Sequence, residues 1–117
     1  MGKVKTRTKE EIYITPMTIN QAWQGRKYKT PKYADYIDDV LELLPENETI
    51  EGYVAIYLTF YLNNRRFKTA DVDNFIKPIF DILVKKGYIE DDRKVLVVRA
   101  EKLPHTEEKI KIEIIKL

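Results

Sequence analysis

Thr69-Ala70-Asp71-Val72-Asp73-Asn74-Phe75-Ile76-Lys77-Pro78-Ile79-Phe80-Asp81-Ile82-Leu83-Val84-Lys85-Lys86-Gly87 decides both the fold and the chemistry of this chain. If the stretch enters a helix near Val72, then at 100° per residue Val72, Ile76, Ile79, Phe80 and Leu83 share one apolar face. Asp73, Asn74, Lys77 and Asp81 share the polar stripe beside it, with Asp73 and Lys77 at i, i+4 spacing. Lys85-Lys86-Gly87 reads as the stop, because lysines suit the negative helix end and glycine suits the C′ position. Pro78 disturbs the pattern, since inside a helix it removes a hydrogen bond and crowds the carbonyl of Asn74. Either the helix kinks there, or it begins only near Lys77 with Asp71–Asn74 as the loop leading in.

The segments on either side of this helix supply strands. Upstream, Tyr53 to Leu62 alternates Val54, Ile56, Leu58 and Phe60 with Tyr53, Ala55, Tyr57 and Tyr61, as a central strand covered on both faces would. Asn63 to Lys68 reads as a polar basic loop. Downstream, Val95 to Ala100 and Lys109 to Ile115 read as strands, the second with Ile110, Ile112 and Ile114 inward. Before the central strand, Thr30 is an N-cap and Pro31 the first position of a helix, whose apolar stripe is Tyr33, Tyr36, Ile37, Val40, Leu41 and Leu44. Glu11 to Thr15 reads as a strand, Pro16 to Lys29 as irregular, and residues 1–10 as a polar arm with Lys3, Lys5, Arg7 and Lys9. The order β-α-β-α-β-β predicts an α+β fold: a single domain over residues 1–117 with one mixed β-sheet packed by two main helices.

Composition narrows the chemistry. A chain of 117 residues without cysteine has no disulfide, thiolate zinc site or thiol nucleophile. Its one histidine, His105, lies in a polar turn-like stretch, so a His-rich metal site or a Ser/His/Asp triad has little material to work with. Any metal must be bound through oxygen, which points to Mg²⁺, Mn²⁺ or Ca²⁺. No apolar run approaches the ~18 residues that span a bilayer, and no signal-peptide pattern opens the chain, so a soluble intracellular protein is expected. Net charge is only +2, so polyanion binding would depend on where the 21 basic residues stand.

Two acidic groups flank the helix: Asp71 with Asp73 at its entrance, and Glu90-Asp91-Asp92 after Gly87. On spacing alone, each has an ordinary reading, as helix caps and as a solvated acidic turn. They meet only if the chain turns back after Gly87.

Taken together, Asp71-x-Asp73-Asn74-x-x-Lys77, Phe80-Asp81-x-Leu83, Gly87-Tyr88, Asp91-Asp92 and the Val95–Arg99 strand resemble the RusA family of Holliday junction resolvases. Pro16-x-Thr18-x-Asn20, followed by Arg26-Lys27-Tyr28-Lys29, is similar to that family's N-terminal turn and basic segment. The resemblance implies a Mg²⁺-dependent endonuclease, with Mn²⁺ as substitute, that resolves branched DNA (four-way junctions) in recombination and repair. It implies Asp71, Asp73 and Asp92 as metal-binding carboxylates, with Asp91 as second choice, and Lys77 as the essential basic residue of the site. Arg65, Arg66 and Lys68, with Arg26, Lys27 and Lys29, would contact DNA phosphates. Paired cuts call for a C₂ homodimer. A bacterial or phage-encoded, cytoplasmic, nucleoid-associated protein is expected. A catalytically silent DNA-binding or interaction module of the same fold is the alternative.

Overall fold

Tyr33, Tyr36, Ile37 and Val40, the predicted stripe of the first helix, are all buried in the computed structural model, which describes residues 5–18, 23–24 and 28–117. That helix, α1, spans Pro31–Leu43, and the Thr30 side chain accepts a hydrogen bond from the Tyr33 N–H as its N-cap. It packs over a four-stranded sheet of β1 (Arg7–Ile12), β4 (Val54–Leu62), β5 (Val95–Pro104) and β6 (Lys109–Lys116). A separate two-stranded ribbon pairs β2 (Trp23–Gln24) with β3 (Tyr28–Lys29). Two further helices, α2 (Asn64–Thr69) and α3 (Ile76–Lys86), lie between β4 and β5.

The sheet order is β1-β6-β4-β5; β6 runs antiparallel to both β1 and β4, while β5 runs parallel to β4. Strands joined by short turns pair antiparallel, and a parallel pair needs a crossover through another layer. Residues 63–94 are that crossover. Val54, Ile56, Leu58, Phe60 and Leu62 of β4, with Ile110, Ile112 and Ile114 of β6, form one core with α1 and α3. The α+β fold with one mixed main sheet is therefore present.

Four local expectations are corrected. Residues 7–10 are not an arm: they belong to β1, with Thr8 buried and Arg7, Lys9 and Glu11 exposed, a pattern of charges that masks a strand at the sheet edge. Residues 63–68 are not a loop either, since α2 occupies them with Asn63 as N-cap, accepting from the Arg66 N–H at 3.0 Å. The central strand has helices on one face only. On the other face Tyr57 and Tyr61 are half-buried under cations, with Arg99 over Tyr57 and Lys109 over Tyr61. Finally, Pro78 causes no kink. Val72–Phe75 form a 3₁₀ turn and α3 starts at Ile76, so Pro78 stands in the first helical turn, where its missing N–H costs no bond.

Gly87 ends α3 in the left-handed region at φ 83°, and its N–H bonds back to Leu83 and Val84 carbonyls. Space for a methyl group exists there, so the cost of Gly87→Ala is backbone strain, not collision. Chemical denaturation should show a loss of about 1–2 kcal/mol for this variant.

Candidate active site

Lys77 lies in the first turn of α3, and its Nζ donates to Asp81 Oδ1 at 2.9 Å and to Asp92 Oδ2 at 3.0 Å. The first contact is the i, i+4 pair of one helix. The second ties the first turn of α3 to the later acidic turn, because Asp92 stands on the 3₁₀ turn Asp92–Lys94 that delivers the chain into β5, while no contact joins Asp92 to Asp71 or Asp73 among the described residues. Asp81 Oδ2 in turn accepts from the Tyr33 hydroxyl of α1 at 3.3 Å. A continuous polar chain thus runs from α1 through α3 to the entrance of β5. The i, i+4 pair expected between Asp73 and Lys77 is replaced by Lys77–Asp81.

These contacts set protonation. Hydrogen bonds that Lys77 donates to Asp81 and then to Asp92 raise its pKa above the usual lysine value, so the group is an ammonium at neutral pH. Burial, reinforced by the Asp81 charge, pushes the Tyr33 hydroxyl up to about 12 and keeps it a donor.

The adjacent acids Asp91 and Asp92 have different work. Asp91 is the N-cap of the turn, accepting from the Arg93 N–H at 3.0 Å and from its guanidinium at 3.0 and 3.3 Å. Those bonds hold its carboxyl well below the ordinary range. Asp92 instead faces Lys77.

Asp71 and Asp73 sit on the exposed 3₁₀ turn immediately ahead of α3. Asp71 holds the cap position, yet its side chain makes no capping bond. Neither carboxylate is tied to another described residue. What fixes their position is backbone: the Lys102 ammonium of β5 donates to the Phe67 and Ala70 carbonyls at 2.6 and 2.8 Å. Lys102 thereby clamps the end of α2, and the residue before Asp71, to the edge strand. Sequence reasoning missed this lysine, whose only signal is its alternation with Val98 and Ala100 on the core-facing side of β5.

The basic candidates separate. Arg65 and Lys68 are exposed, three residues apart on α2. Arg66 is committed inward: it pairs with Glu108 at 3.1 Å, donates to the Pro16 carbonyl at 2.6 Å and lies over the Phe75 ring. Arg26 and Lys27 lie outside the described residues, and Lys29 is placed only as backbone of β3.

The family model described as Endodeoxyribonuclease RusA matches residues 4–115, across both acidic groups and Lys77. The chain belongs to the RusA family. Among RusA proteins it is similar to the Crossover junction endodeoxyribonuclease RusA of Aquifex aeolicus (strain VF5), with 28% identity over 101 residues and 79% of each chain covered.

Among the described residues, no group of three or more His, Asp or Glu side chains gathers closely enough to hold a metal ion. The donor chemistry nevertheless fits a hard divalent cation. Asp71 and Asp73 offer uncommitted carboxylate oxygens, and Asp92 offers one oxygen beyond the one bonded to Lys77.

Two outcomes are expected from these contacts. Asp71→Asn and Asp73→Asn should leave folding stability within about 0.5 kcal/mol of wild type, whereas Asp91→Ala should lower the thermal midpoint through loss of its cap, as calorimetry would show. Tyr33 has a folded pKa above its unfolded one, so its contribution to stability is complete below about pH 10 and declines as pH rises toward 12. Tyr33→Phe should flatten that alkaline decline in denaturant titrations at stepped pH.

Proposed function

We propose that this protein is a divalent-metal-dependent endodeoxyribonuclease that cuts four-way and other branched DNA in recombination and repair. The observation that carries the reading is the Lys77–Asp92 contact in a RusA-family chain. It joins the helix-entrance half of the motif to the acidic turn that follows α3. The Aquifex relative, named as a crossover junction endodeoxyribonuclease, supports the substrate class proposed.

In the reaction, water attacks the phosphorus in line. A new P–O bond forms as the bond to the 3′ oxygen breaks, the water gives up a proton and the 3′ oxygen takes one. Asp71, Asp73 and Asp92 would hold Mg²⁺, or Mn²⁺ in its place. When bound, the ion supplies a water of lowered pKa and positive charge for the phosphate oxygens. Lys77 contributes as a fixed ammonium, not as a base, because its partners keep it protonated. An ammonium has three donors, and Asp81 and Asp92 use two, so the third is available to a non-bridging phosphate oxygen. Asp81 and Tyr33 keep the lysine pointed toward Asp92. Arg65 and Lys68 stand on α2, just ahead of the acids, where they would meet backbone phosphates as the DNA enters. Symmetrical cutting of a junction needs two such sites, hence a C₂ homodimer working in the cytoplasm.

A synthetic four-way junction with Mg²⁺ tests this. Wild type should nick it. Asp73→Asn should abolish nicking while keeping junction binding, and Lys77→Met should slow it by ~10²-fold or more. Junction binding without any cleavage by wild type, across several divalent metals, would identify a silent binding module instead.

A further inference from the structure

Two anchors hold the segment that carries Asp71 and Asp73, and they differ in kind. Downstream, Phe75 is fully buried against Phe60, with ring centroids 5.1 Å apart, so apolar packing fixes the end of the 3₁₀ turn. Upstream, α2 has no buried residue, and Phe67 and Ala70 cover the core only in part. What ties this end down is the half-buried Lys102 of β5. Its ammonium donates to the Phe67 carbonyl at 2.6 Å and the Ala70 carbonyl at 2.8 Å, and stands 5.2 Å from the centre of the Phe67 ring. The Asn74 N–H closes the turn onto the Asp71 carbonyl at 3.2 Å, a bond that stiffens the turn but does not attach it to the sheet.

The bond to Ala70 is the informative one. A peptide unit is planar from one Cα to the next, so gripping the Ala70 carbonyl also fixes the Cα from which the Asp71 side chain departs. Asp73, two residues before Phe75, is held by the other anchor. We propose that Lys102 is a positioning residue for the divalent ion, keeping Asp71 in place beside Asp73 by holding the peptide that joins α2 to the turn. The proposal rests on the metal-dependent reading above and adds a residue that acts through backbone, without touching the ion. Both carbonyls lie at the end of α2, past its internal hydrogen bonds, where a charged donor serves them well. A side chain without a donor leaves them to water, and Asp71 must then be ordered each time an ion binds. That ordering cost falls on metal affinity, because the chemical step begins only after the ion is seated.

Titration of the DNA-free protein with Mn²⁺, read from the electron paramagnetic resonance of the unbound ion well below the unfolding temperature, tests this. Wild type should bind the ion and Asp73→Asn should lose it, while Lys102→Met should raise the dissociation constant about tenfold or more. Junction nicking by Lys102→Met should need more Mn²⁺ in the same proportion, with a rate at saturating Mn²⁺ close to wild type. The chain has no cysteine, so Lys102→Cys can be unfolded, alkylated at that one position and refolded. Alkylation with 2-bromoethylamine restores an ammonium and should restore wild-type Mn²⁺ affinity. Alkylation with 1-iodopropane puts a methyl group of the same reach there and should not, which separates the donor from mere packing. Circular dichroism checks folding, and Lys102→Gln replaces any variant that does not fold. Wild-type Mn²⁺ affinity in folded Lys102→Met or in the propylated protein overturns the proposal, and leaves the nuclease reading standing when Asp73→Asn has lost the ion. If wild type binds no Mn²⁺, or Asp73→Asn binds it equally well, the metal assignment falls and the role of Lys102 falls with it.

Discussion

Parallel pairing of β4 with β5 is the constraint from which the site follows. Leu62 leaves β4 at one end of the sheet, and Val95 must enter β5 at the other, so the chain has to cross back through a second layer. The crossover holds α2, the 3₁₀ turn at Val72–Phe75, α3 and the turn at Asp92–Lys94. Asp71 and Asp73 fall where the chain starts down, Lys77 on the first turn of the descending helix, and Asp92 just before the return. Residues fifteen apart, such as Lys77 and Asp92, meet because the crossover folds against itself between two strands whose spacing is fixed. A hairpin connection would have had no room for any of them.

Lys77 has a structural consequence as well as a chemical one. Asp71, Asp73, Asp81 and Asp92, four of the six acidic residues between positions 71 and 92, would repel one another without a compensating charge. The ammonium takes up the two that α3 and the β5 entrance bring together. Lysine suits this position better than arginine would, since its donors radiate from one point and reach acids on different elements. The lysine is half-exposed, so its ion pairs are screened by solvent and contribute little to folding. Their effect is to hold a charge in one place beside open carboxylates, which is what a site for phosphate chemistry requires.

Features that were legible in the sequence are those written in local sterics or period. Thr30-Pro31 marks a helix start because both residues act on the same few backbone groups. Lys85-Lys86-Gly87 marks an end for the same reason, and Ile110, Ile112 and Ile114 alternate without interruption. Pro78 was legible as a conflict but not as its solution, since a 3₁₀ turn followed by a fresh α-helix satisfies the proline rule without a kink. Helix α2 was hidden because six residues are too few to display a period, leaving only the Asn63 cap as a sign. β1 was hidden because an edge strand needs charge on its outer face and so looks like an arm. At the candidate site, the residues are singled out by their likeness to the RusA pattern, while the Lys77–Asp92 contact and the Lys102 clamp depend on the packing of distant elements and leave no periodic trace.

Asp91 and Asp92 show why composition and spacing stop short of a site. The two are chemically identical and one residue apart, so any rule based on charge or distance along the chain treats them alike. Their separation is made by the backbone. Asp91 is extended, at φ −164° and ψ 149°, which turns its carboxylate back over the N–H of Arg93. The next residue begins the 3₁₀ turn, so its side chain leaves on a different side and reaches Lys77. A cap must accept from its own turn and therefore cannot project from it, while Asp92 projects to Lys77 and therefore does not cap. One residue of the pair thus frees the other, because the turn that Asp91 stabilises is what aims Asp92.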